Sequence, residues 1–241
     1  MGSNFYDVFP RRKILLGMLH LAGRDARERL HRALEEIDIY RKEGFDGAIV
    51  EDYAGGVDDV VNVLKALPKV QDFVFGVNIL RNPYFAFDLA SLYGAKFVQF
   101  DTIQTSRTTT IDPRKFNEEK YNAFRKKYPN ICVLGGVRFK YIPPTGKSLE
   151  EDIKDGKSKA DVIVTTGDGT GIETPIQKLI DFRKEMKLFP FFVGAGVNSR
   201  NIKEQMEICD GAIIGSYVKD GDIEKMVIRE RVCELTALVR G

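Results

Sequence analysis

Six polar side chains stand at or beside the ends of short apolar runs: His20, Glu51, Asn78, Asp101, Lys140 and Thr165. An imidazole and two carboxylates can exchange protons, an amide and a hydroxyl can orient a substrate, and an ammonium can steady negative charge. His20, Glu51, Asp101 and Lys140 are therefore the candidate catalytic residues. Asn78 and Thr165, with Arg81, Arg138 and Thr170, are the candidates for holding substrate. Two glycine-bearing turns, at Gly194, Ala195 and Gly196 and at Gly215 and Ser216, bring a second chemistry. Glycine lets backbone approach a ligand closely, and unpaired N–H groups at a turn or helix start attract an anion. Two such turns on consecutive strands make a phosphate cradle, with Lys219 nearby and Asn198 or Ser199 capping the helix that follows.

Each residue also has a plainer reading. The glycines can simply make tight turns. His20 can be a hydrogen-bonded core imidazole, and Glu51 and Asp101 can be structural carboxylates paired with Arg81 or Arg138. With Asp52 they can also bind a divalent cation, although the clustered ligands such a site needs are not evident. No cofactor is predicted, and the metal question is open. Lys140 suits a phosphate partner, a rim charge or a Schiff-base amine. The run Thr165-Thr-Gly-Asp-Gly-Thr-Gly171 supplies a third glycine-rich turn, with Gly167 and Gly171 as further anion contacts. It lacks the lysine and spacing of a Walker loop.

The elements that must position these groups recur in one order. Apolar runs at 14–21, 47–52, 73–80, 97–103, 131–141, 161–166, 191–193 and 211–214 read as strands. Helical patterns at 25–44, 57–67, 84–93, 113–128, 149–158, 175–187, 202–209 and 223–239 follow them in turn. Eight strand-then-helix units in 241 residues predict a single (β/α)8 TIM barrel domain over 1–241, with a short N-terminal extension at 1–12. The longest breaks, 102–112 and 142–148, follow strands and so belong to the face where barrel enzymes act.

Alternation along each strand groups His20 with Met18 and Leu16, Glu51 with Ile49, Asn78 with Gly76, Asp101 with Gln99, Lys140 with Arg138, and Thr165 with Ile163. The complementary set, Leu19, Val50, Val77, Phe100 and Phe139, is apolar, as residues beneath outer helices should be.

Thirty-seven basic against 35 acidic residues leave a net charge of +2, with no charged block to favour nucleic acid or a membrane. A phosphorylated small molecule is the expected partner, and a homo-oligomer is compatible with the sequence. Three scattered cysteines form neither a disulfide framework nor a metal motif. With no signal pattern or long apolar span, the expected location is the cytoplasm.

Several of these segments together resemble the BtpA/SgcQ family. They are Gly17-Met-Leu-His-Leu21, Ile49-Val-Glu-Asp52, Gly76-Val-Asn-Ile-Leu-Arg-Asn82, Ala160-Asp-Val-Ile-Val-Thr-Thr-Gly167 with Thr170-Gly171, Gly194-Ala-Gly-Val197 and Gly215-Ser216. The resemblance implies a TIM-type barrel of the ribulose-phosphate-binding group whose last two turns hold phosphate. Members of the family are named for photosystem I biogenesis in cyanobacteria or sit among sugar-metabolism proteins. The fifth strand departs from the family pattern: Gly136-Val-Arg-Phe-Lys-Tyr141 stands where Asp-Val-His-Val-Lys-His is usual, and the lysine is kept.

Overall fold

A computed structural model describes residues 4–10, 13–68, 70–107 and 116–241. Eight strands close into a barrel in chain order: β1 (Ile14–Leu19), β2 (Gly47–Glu51), β3 (Val74–Asn78), β4 (Phe97–Phe100), β5 (Cys132–Gly136), β6 (Val162–Thr165), β7 (Phe191–Val193) and β8 (Gly211–Ile214). Every neighbouring pair is parallel, and β8 closes on β1 with Gly17 opposite Ile214.

The outer layer is α2 (Ala26–Lys42), α3 (Val57–Ala66), α4 (Phe85–Tyr93), α5 (Glu118–Lys127), α6 (Leu149–Lys157), α7 (Ile176–Met186), α8 (Ile202–Ile208) and α9 (Arg229–Arg240). The expected helix at 223–239 begins only at Arg229, because a 3-10 turn, Tyr217–Lys219, and an irregular segment follow β8 instead. The part of the expected fourth helix at 113–115, and residues 108–112 of the long loop, lie outside the described residues.

Alternation divides the apolar residues into two cores. Leu15, Leu19, Val50, Val77, Val98, Phe100, Val133, Ile163 and Phe191 pack outward against the helices. Ile14, Leu16, Met18, Ile49, Phe97, Cys132, Leu134, Val162, Val164, Phe192 and Ile213 fill the barrel. Large and small residues interleave there: a Cβ at Gly76 would come within 2.1 Å of the Phe97 ring. The N-terminal extension supplies the floor. Its helix α1 (Phe5–Val8) is followed by Phe9, whose ring lies 5.5 Å from Phe97 and 5.9 Å from Phe192. Ligands must therefore enter from the opposite end.

At that end the loop 137–147 rests on α6. Thr145 Oγ1 donates to Asp152 at 2.6 Å, and the Arg138 guanidinium meets Asp152 at 2.8 Å. The start of α6 is a capping box: Ser148 Oγ accepts from Glu151 N–H, and the Glu151 carboxylate accepts from Ser148 N–H. Ser148→Ala should cost about 1 kcal/mol of unfolding free energy in urea melts. An unchanged midpoint would show that the box is redundant.

Candidate functional site

The C-terminal mouth of the barrel holds a cavity of about 530 Å³, with Met18, Phe139 and Ile213 at its base. His20, Glu51, Gln99, Asp101, Lys140 and Thr170 line it, as do Gly171, Gly194, Ala195, Gly196, Gly215 and Ser216. Twelve residues from the ends of seven of the eight strands thus share one space, because the strand ends converge on the same rim.

The carboxylates sit together on one wall. The Asn78 amide donates to Glu51 Oε1 at 2.7 Å and to Asp101 Oδ1 at 3.3 Å, so one NH2 group bridges the two acids. Gln99 Nε2 approaches the same Asp101 oxygen at 3.5 Å. Burial, reinforced by the negative charge of Asp101, pushes Glu51 up to about 8, against partial relief from Lys140 and Asn78. At neutral pH Glu51 is therefore a carboxylic acid. An acid held protonated beside a second carboxyl group is an arrangement suited to general acid–base work.

His20 is buried at the end of β1, where its ring meets Tyr53 edge-on at 5.5 Å. Burial, followed by the charges of Lys219 and Lys140, holds its imidazole down to about 3, so it is neutral across the physiological range. Among the described residues its buried Nδ1 and the Oε1 of Gln99 have no hydrogen-bond partner. Lys140 donates from Nζ to Thr170 Oγ1 at 3.1 Å, and its own backbone N–H is held by Thr166 Oγ1 at 2.6 Å. The ammonium is thereby anchored at the cavity wall on β5's side.

Opposite the acid pair lie the glycine turns. Gly194 N–H is already bonded, donating to Thr165 O at 2.8 Å. Among the described residues no turn, cap or side-chain bond uses the N–H of Ala195, Gly196, Val197, Gly215 or Ser216. Gly196 adopts φ +67°, and a Cβ there would sit 2.3 Å from the Glu173 backbone. Gly215 leaves room for the His20 ring, which a Cβ would approach to 2.7 Å. Tight packing at both turns depends on these glycines. Arg200, exposed after the β7 turn, adds a cation to the same side.

Several expected positions are corrected. Thr165 is fully buried on the helix side: Val162 and Val164 face the barrel, so the phase of β6 is opposite to that expected, and Thr166 takes the inward position. Arg138 leaves the mouth because β5 ends at Gly136 and Arg138 takes φ +48°, which turns its side chain to Asp152. Phe139, expected under the helices, enters the barrel core instead. Gly167 and Arg138 line an adjoining groove of about 400 Å³ that shares Phe139, Lys140 and Tyr141 with the main cavity, and Arg81 a side cleft of about 160 Å³ that shares Asp101 and Leu80 with it.

Lys219 is not a phosphate contact. It is buried, with both Glu36 oxygens 2.7 and 2.8 Å from Nζ. The helix after β7 starts at Ile202 as expected, but its capping position is Asn201 rather than Asn198 or Ser199, and Asn198 Oδ1 accepts from Arg200 N–H in the preceding turn. Gln99, Arg200 and the rim residues Tyr53, Tyr141 and Ile172 were not expected as site residues. Gln99 alone had a signal, since it shares the Asp101 face.

Among the described residues no three His, Cys, Asp or Glu side chains come together as a metal site requires. No helix among them is long and apolar enough to cross a membrane.

The BtpA family profile matches residues 11–241. The uncharacterized protein PH1209 of Pyrococcus horikoshii is 30% identical, over 95% of this chain and 96% of its own. The photosystem I biogenesis protein BtpA of Synechocystis is 25% identical, over 95% and 88%. Among solved structures, thiamine phosphate pyrophosphorylase from Pyrococcus furiosus superposes with a TM-score of 0.61 at 16% identity, over 95% of each chain. N-(5'-phosphoribosyl)anthranilate isomerase from the same organism gives 0.62 at 13%, over 95% and 98%. At these identities the structural likeness is one of fold.

Proposed function

The chain belongs to the BtpA family, and from its site we propose that it is an enzyme acting on a phosphorylated sugar or nucleotide-like metabolite. The observation that carries this reading is an acid pair facing unbonded glycine-turn amides across one cavity. Phosphate sits on the N–H groups of Ala195, Gly196, Val197, Gly215 and Ser216, with Arg200 closing over it. The reacting carbons then lie over Glu51 and Asp101. Glu51 delivers a proton, Asp101 removes one, and Asn78 keeps the two carboxyl groups in register. Lys140 steadies charge that develops between them. Such a set suits an isomerase, lyase or transferase.

Arg200→Ala tests the anion end without touching the fold. It should weaken binding of ribose 5-phosphate about ten-fold or more in calorimetry, the loss expected of a charge-assisted hydrogen bond, and leave the ligand-free melting temperature unchanged. If millimolar phosphate esters neither bind nor raise that temperature, the cradle is a set of packing turns and the proposal fails.

A second reading, a binding protein without turnover, draws on the departure of the fifth strand at Arg138 and Phe139 from the family pattern. The Synechocystis relative carries a biogenesis name. Product formed from a bound metabolite, seen by mass spectrometry, excludes this reading.

A further inference from the structure

The chemistry described so far leaves unused the apolar edge of the cavity. Among the described residues seven large hydrophobic side chains are exposed, and three of them, Tyr53 (40%), Tyr141 (56%) and Ile172 (54%), line this one mouth. Single exposed apolar residues are ordinary, but a group rimming a concave polar site marks where a ligand buries apolar surface. Resting on the phosphate-cradle reading above, we infer that the ligand carries an aromatic or heteroaromatic ring, held over the acid pair between Tyr53 and Tyr141.

The topology gives the orientation. Around the closed barrel the phosphate turns follow β7 and β8, and the point opposite them lies between β3 and β4, where Asn78, Gln99 and Asp101 end. Tyr53 follows β2 and Tyr141 follows β5, so the two tyrosines flank that far side, one on each hand. A ligand anchored by phosphate at β7 and β8 runs across the mouth and ends between them.

Both rings are held in place before a ligand arrives. Tyr53 packs edge-on to His20 at an interplanar angle of 81°. Tyr141 has φ +61°, and its hydroxyl accepts from Thr170 N–H at 2.9 Å, which ties the ring to the β6 loop. With its hydroxyl tethered, Tyr141 is still 56% exposed, and a ring held in advance lowers the ordering cost of binding. Size agrees. The cavity's 530 Å³ lies within the roughly 300–1,000 Å³ of sites that bury drug-sized ligands.

Calorimetry with ribose 5-phosphate, phenyl phosphate, AMP and CMP tests the inference. At least one of the three aromatic phosphates should bind about ten-fold tighter than ribose 5-phosphate. Tyr53→Ala and Tyr141→Asn should each remove most of that advantage while ribose 5-phosphate binding stays unchanged. Asparagine is chosen at 141 because it tolerates the left-handed backbone. Tyr141→Phe, which keeps the ring, should retain the preference.

Equal affinity for ribose 5-phosphate and all three aromatic esters overturns the inference and leaves the phosphate site standing. A preference that survives both tyrosine variants overturns it too. If none of the four esters binds, the phosphate reading itself is lost, and this inference with it.

Discussion

Lys219→Met should destabilise the protein by about 3–5 kcal/mol, the loss expected when one partner of a buried ion pair is removed and the other is left charged. Lys219 and Glu36 are both almost fully buried, and Nζ reaches both carboxylate oxygens. Burial pushes the Glu36 carboxyl up and the Lys219 ammonium down, and mutual attraction offsets both shifts. In a barrel of this size the loss corresponds to roughly 6–20 °C in melting temperature. The double variant Glu36→Leu with Lys219→Met should recover most of it, because no charge is left stranded.

This ion pair also acts on the site. It joins α2 to the 3-10 turn directly after Gly215 and Ser216, so it fixes the exit of one proposed phosphate turn. Lys219 contributes to the depression of His20, second to burial. In Lys219→Met the histidine should therefore titrate above its native position of about 3 but still below 6.5 in NMR titration. A single variant within 1 kcal/mol of the native protein would show that the pair is dispensable.

Where the strands begin and which way they face was legible in the sequence wherever polarity alternated clearly. His20 above Met18 and Leu16, Glu51 above Ile49, and Asp101 above Gln99 each mark one face without ambiguity, and each proved to be the interior face. At β6 the doublet Thr165-Thr166 caps a run in which every residue is apolar, so the pattern could not distinguish its two phases. Neighbours decided it: the interior accepted Val162 and Val164.

β5 misled for a different reason. Its apolar run continues past Gly136, but a Cβ at Gly136 would meet Asp101 O at 2.0 Å, and the next turn bends the chain so that Arg138 and Phe139 exchange expected sides. The Lys219–Glu36 pair spans 183 positions, beyond the reach of any local pattern. The floor formed by Phe5 and Phe9 depends likewise on contacts with rings far along the chain. Tyr53 and Arg200 lie on loops, where no periodicity tells a rim from a free surface, and Tyr141, expected at the end of the fifth strand, lies in the turn that follows Gly136.

Glu51→Gln should change how stability depends on pH, and the direction follows from two opposed groups. Glu51 is held up to about 8, from an ordinary 4.5, by burial and then by Asp101. Between those values the folded protein binds a proton that the unfolded chain has lost, so stability falls as pH rises, by up to about 1.4 kcal/mol per pH unit. His20 is held down to about 3, from an ordinary 6.5. Between those values the unfolded chain binds a proton that the fold refuses, so stability rises with pH at a similar slope. From 4.5 to 6.5 the two contributions oppose and largely cancel. Above 6.5 only the Glu51 contribution remains, and over the 1.5 units to pH 8 it removes about 2 kcal/mol. Glutamine keeps the shape and an oxygen for the Asn78 amide but has no proton to lose. Urea melts of the two proteins at pH 6.5 and 8 should therefore diverge by about 2 kcal/mol, the native protein losing stability and the variant holding it. Parallel curves across that interval would mean that Glu51 is already ionised in the fold, and the proton donor assigned to this wall would have to be sought in another residue.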